Sequence, residues 1–197
     1  MAVCATGLFV HTFALATIPV QHWTQASGAQ VYLVESPAIA MVDVQIDFDA
    51  GSRRDPPGQA GLASMTANML EKGVREKDGA AALDENALGE AWADLGADFG
   101  AGASADRMSF SLRSLTDPVL LDQAVALAAR QIADPAYPDA VWQRERQRLD
   151  AALKESYTRP GSVVGRAYAK AVYGNHPYGY EMTEATLANI SVADLQA

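Results

Sequence analysis

Apolar and polar residues alternate most cleanly from Met41 to Ala50 (MVDVQIDFDA). Val42, Val44, Ile46 and Phe48 point one way, and Asp43, Gln45, Asp47 and Asp49 the other. This predicts a strand with one face on a core and the other toward water or a partner. Val20 to Thr24 alternates as well, Gly28 turns the chain, and Gln30 to Ser36 forms a second strand that Pro37 breaks. Residues 51–58 (GSRRDPPG) are a loop by composition. The period then lengthens. Gly61 to Leu70 reads as a helix ended by Gly73, and Leu83 to Leu95 as a second helix stopped by Gly96. Two strands follow, Asp98 to Ala103 and Arg107 to Leu115. Asp117-Pro118 opens a helix over Val119 to Ala133 with a core-facing apolar stripe. Asp139 to Tyr157 is a long charged helix, Gly161 to Val172 another, and Ser191 caps the start of one more.

Composition narrows the function classes. A chain of 197 residues, nearly half apolar and a fifth charged, suffices for one domain with a real core. A net charge of −9 argues against a nucleic-acid groove, which needs clustered Lys and Arg. The one cysteine, Cys4, permits neither an intrachain disulfide nor a cysteine-based zinc site. His11, His22 and His176 lie far apart, with no second His at ligand spacing. Met1 to Thr17 is apolar and free of acids, like a secretory h-region, although it lacks a basic n-region and His11 interrupts it. Residues 1–19 therefore read as a signal or lead segment and 20–197 as the domain. A signal would send the chain to the periplasm or outside the cell; otherwise it is cytoplasmic. No other apolar stretch reaches membrane length.

The predicted helix from Gly61 carries the most informative pattern: Gly61, Ala63, Met69, Leu70, Lys72 and Gly73 frame Ser64, Ala67 and Asn68. This frame resembles the zinc-site helix of the M16 peptidases (the pitrilysin or insulinase family). There Gly-x-Ala is followed by His-x-x-Glu-His, then Met-Leu and Lys-Gly. Two His one turn apart put both imidazoles on one face to grip Zn²⁺, and the adjacent Glu deprotonates a zinc-bound water. Here those positions hold a hydroxyl, a methyl and an amide. Ser64 and Asn68 are poor ligands for a borderline-soft cation, and Ala67 has no proton acceptor.

Further segments carry the same resemblance, which runs from about Val20 to Leu195. The loop reads Gly51-Ser52-x-x-Asp55 before Gly61-Leu62-Ala63. Trp142-x-x-Glu145-Arg146 sits where the family has its Glu-Arg-Glu helix, and His176-Pro177-Tyr178-Gly179 matches its turn before the segment Ile190 to Leu195. In active members the third zinc ligand is a Glu two turns after the first of these glutamates. That register falls on Ala152, while a one-turn slip offers Glu155. Glu145 and His176 then read as structural residues, and Arg53, Arg54 and Asp55 as an exposed ion-pair cluster. The family's substrate-binding edge strand matches Phe99, Gly100, Ala101, Gly102 and Ala103. The small residues there let another backbone approach, and a Gly-rich hairpin without ligand is the competing reading.

The resemblance implies an α+β fold: a mixed, mainly antiparallel sheet with helices packed on one face, incomplete at its C-terminal end, so that sheet edge and apolar face stay exposed. It also implies a non-catalytic homologue without bound zinc, which binds peptide and forms a heterodimer with an active M16 subunit. An active zinc endopeptidase and an inert or merely peptide-binding domain are the alternatives.

Overall fold

The computed structural model describes residues 19–197, so the lead-segment reading falls almost wholly outside the described residues. The described residues divide into two units, 19–39 and 40–197. In the first, β1 (Val20–Thr24) and β2 (Gln30–Val34) form an antiparallel hairpin. Its loop closes through a bond from the Gln25 amide to the Ala29 carbonyl at 2.9 Å. The cross-strand pair His22 and Tyr32 stacks with ring centres 4.4 Å apart.

The second unit is built on a three-stranded antiparallel sheet. Its order is β3 (Met41–Phe48), β7 (Met108–Leu115), β6 (Asp98–Ala103). The register sets Val44 against Leu112 and Ile46 against Phe110, while Phe99 faces Leu112 from the other side. All these side chains therefore share one face. On the opposite face Arg113 reaches Asp43 at 2.6 Å and Ser109 donates to Asp47 at 2.6 Å.

Five longer helices follow the predicted periods: α1 (Leu62–Leu70), α2 (Glu85–Asp94), α3 (Pro118–Ala133), α4 (Asp139–Ser156) and α5 (Pro160–Tyr173). The short α6 (Glu184–Ala188) and α7 (Val192–Leu195) complete the unit. Helices α1, α2 and α3 pack on the β6 and β7 part of the sheet. One core cluster joins Met65, Met69 and Leu70 of α1 to Phe110, Trp142, Leu187, Ile190 and Leu195. A second joins Leu88 and Trp92 of α2 to Leu112, Ala124 and Ala128. Among the described residues no helix is long and apolar enough to cross a membrane.

Two features depart from the sequence pattern. The alternation of β3 predicts a covered apolar face, yet Val44, Ile46 and Phe48 remain 37 %, 42 % and 49 % exposed. The helices cover β6 and β7 and leave the β3 row open. Leu83 does not begin α2. Leu83–Asp84 is a short strand, β5, paired with β4 (Gly73–Val74). Asp84 then caps α2, accepting from the amides of Asn86 and Ala87 at 3.0 and 2.9 Å. The pairing needs glycine at position 73: its φ is +126°, and an added Cβ would lie 2.7 Å from the Leu83 carbonyl oxygen.

Candidate functional site

Helix α1 is aimed by the loop before it. Asp55 is buried, and its two carboxylate oxygens accept the amides of Gly61 at 2.8 Å and Ala63 at 3.0 Å. These donors lack an intrahelical partner, and the positive end of the helix favours a carboxylate there. The expected Arg53–Arg54–Asp55 cluster is thus corrected: both arginines pair with Asp49, Arg53 also with Asp106, and Asp55 serves the helix. Gly61 has φ +106°, and a Cβ there would run into the Met182 side chain, so the turn onto α1 and the packing of Met182 both require glycine.

On α1 itself, Ala63, Met65, Ala67, Met69 and Leu70 are buried. Ser64 and Asn68, one turn apart, share a face; Ser64 is exposed and Asn68 half-buried. Ala67 is only 2 % exposed, so its methyl fills space against the core. The Asn68 Oδ1 atom is buried and meets no hydrogen-bond donor among the described residues.

The matching positions on α4 are occupied for other purposes. The Glu145 side chain is 7 % exposed and receives Arg148 at 2.8 Å and Arg144 at 3.1 Å. Burial pushes its carboxyl up, but hydrogen bonds from Arg148 and Arg144, helped by the charges of Arg148 and Lys72, outweigh it and hold it below the usual range. Arg144 also reaches Glu85 at 2.7 Å, and Glu85 holds Lys72 at 2.7 Å. This chain of charges ties the end of α1 to the start of α2 and to α4. Hydrogen bonds from Lys72 and Arg144 keep the Glu85 carboxyl low as well. Ala152, two turns beyond Glu145, is a solvent-exposed methyl. Glu155 is engaged by Arg159 at 2.5 Å. His176 accepts the Tyr178 amide on Nδ1 at 3.2 Å, packs edge-on against the Tyr178 ring and closes its turn.

Strand β6 lies at an edge of the three-stranded sheet. The hairpin closes with the Ser104 amide on the Arg107 carbonyl at 2.8 Å. Pairing with β7 then alternates along the ladder, so Phe99, Ala101 and Ala103 turn their backbone groups to the open edge. Gly100 and Gly102 lie on the polar face with Ser109 and Ser111. The Ala101 amide meets Glu71, whose Oε1 accepts it at 3.3 Å. Beside this edge runs a groove of about 480 Å³ lined by Glu71, Lys72, Glu85, Trp92, Asp98 and Phe99, among others. Trp92 and Phe99 stack on its wall at 5.6 Å, and the Trp92 indole N–H donates to the buried Gln131 at 2.9 Å.

The expected positions thus lie on two helices and one sheet edge, Asp55 takes a role other than the expected ion pair, and Glu71 and Glu85 enter only through the structure. An acid ahead of a helix start could have marked Asp55; nothing local marks the other two. Among the described residues, no three His, Cys, Asp or Glu gather to hold a metal ion. A hydroxyl, two methyls and an amide at positions 64, 67, 152 and 68 do not fit zinc.

The family model of the insulinases, peptidase family M16, matches residues 30–186. Over 174 residues the chain is 22 % identical to the uncharacterized zinc protease YmxG of Bacillus subtilis, covering 87 % of this chain and 41 % of that protein. An inactive peptidase M16 domain from Pseudomonas fluorescens superposes with TM-score 0.81 and 32 % identity, over 90 % of this chain and 42 % of that one. Pitrilysin shares the fold, with TM-score 0.70 and 24 % identity over 93 % of this chain and 19 % of that one. The chain thus spans about two fifths of the length of the curated relative it matches. It belongs to the insulinase family, peptidase family M16.

Proposed function

We propose that this chain is a non-catalytic member of its family, which binds an extended peptide along β6 and works beside an active zinc peptidase subunit. The observation that carries the reading is the chemistry of α1. The helix is capped, aimed and packed, while the positions that hold ligands and base in active relatives carry Ser64, Ala67 and Asn68. Ala67 is part of the core, so the place of the base is filled by packing rather than left open. The glycines of β6 leave room for a second backbone at an edge whose donors and acceptors point outward. The 32 % identity to a domain described as inactive supports the same reading.

The test is co-expression of the tagged chain with a family member that keeps an intact His-x-x-Glu-His helix. The reading predicts a stable one-to-one complex whose peptidase activity resides in the partner. Hydrolysis of an unfolded peptide by the isolated chain, abolished by a chelator, would contradict it.

A further inference from the structure

Glu71 ends α1 and reaches across to β6, where it takes the outward amide of Ala101. That amide is the central edge donor of the strand, the one a peptide carbonyl would need in pairing with it. Three observations give the contact weight. The carboxylate sits at the negative end of α1, which disfavours it, so the attraction that holds it comes from the strand. Among the described residues no lysine or arginine pairs with Glu71, and its neighbour Lys72 turns away to Glu85 at 2.7 Å. Glu71 also stands where the sheet edge meets the groove walled by Trp92 and Phe99.

We propose that Glu71 is a built-in competitor at the peptide edge: its carboxylate occupies the Ala101 amide, and an incoming peptide must displace it. The proposal rests on the reading of β6 as a peptide-binding strand. The carboxylate is a stronger acceptor than the neutral carbonyl that replaces it, so the exchange weakens binding of any peptide. It also shields the edge from pairing with another chain when no peptide is present.

Oxidised insulin B chain, labelled with fluorescein, serves as the extended probe for the full chain, with amide exchange and NMR shifts of β6 recorded alongside. Glu71 is exposed, so its variants fold. Glu71→Ala is expected to bind the probe about fivefold more tightly, the weight of one exposed hydrogen bond. The Ala101 amide of free Glu71→Ala exchanges faster than that of the wild type. Glu71→Gln, a neutral acceptor of the same length, gives a smaller gain. Equal or weaker binding by Glu71→Ala, with β6 amides still shifting on binding, overturns the competitor and leaves the edge reading standing. Binding that shifts no β6 amide, or no binding by any variant, overturns both.

Discussion

Replacing Asp55 with alanine removes both acceptors that hold the start of α1. The amides of Gly61 and Ala63, now bonded at 2.8 and 3.0 Å, would be left in a buried place without partners. A hydrogen bond to a charged group contributes about 1.5–3 kcal/mol, and two that share one side chain do not add fully. The expected loss is therefore about 3–4 kcal/mol, a large part of the stability of a domain this size. With a urea dependence of about 2 kcal/mol per molar, the midpoint should fall by about 1.5–2 M at unchanged slope. Asp55→Asn keeps one oxygen but turns an NH₂ group toward the other amide, and should lose roughly half as much. Urea titration followed by tryptophan fluorescence reads these differences, since Trp92 and Trp142 lie in the two core clusters. Arg54→Ala, at an exposed pair with Asp49, is the control and should barely move the midpoint. A shift below about 0.3 M for Asp55→Ala would refute the account of how α1 is anchored.

Acid should test the charge chain of α4. Glu145 and Glu85 both have folded carboxyls below their ordinary value of 4.5, so their contribution is present above that value and is lost as pH falls through the lower folded values. Stability measured from pH 6 downward should fall in that window, and Glu145→Gln should flatten the fall; an unchanged acid limb would contradict the pairing. Gly61→Ala meets both a left-handed backbone and the Met182 side chain. It should cost about 2 kcal/mol or more in thermal unfolding, and Met182→Ala in the same chain should recover only the steric part.

Much of this fold was legible because its signals are local. The two-residue period of β3 and β7, the capping residues Asp117 and Ser191, and the glycine stop at position 96 all act within a few residues of themselves, whereas Gly73, expected to end α1, lies in β4 beyond the Glu71 cap. The β4–β5 pair was not legible: two residues on each side have no period, and only the approach of residues 73 and 84 creates them. Asp55 was misread because neighbouring arginines suggested a local pair, whereas those arginines reach Asp49 and Asp106 and free the carboxylate for the helix. The chemistry of Ser64, Ala67 and Asn68 on α1 was legible in the sequence, since it depends only on residue type. What Glu71 touches was not, because its partner lies on a strand 30 residues away.

The most direct measurement is zinc content by metal analysis and calorimetric titration of the isolated chain, set beside a variant carrying Ser64→His, Asn68→His and Ala152→Glu, which leaves the buried Ala67 in place. The account predicts no stoichiometric zinc in the wild type and one equivalent in the threefold variant, with both His on the shared face of α1 and the new carboxylate on α4. One tightly held zinc per wild-type chain would contradict it.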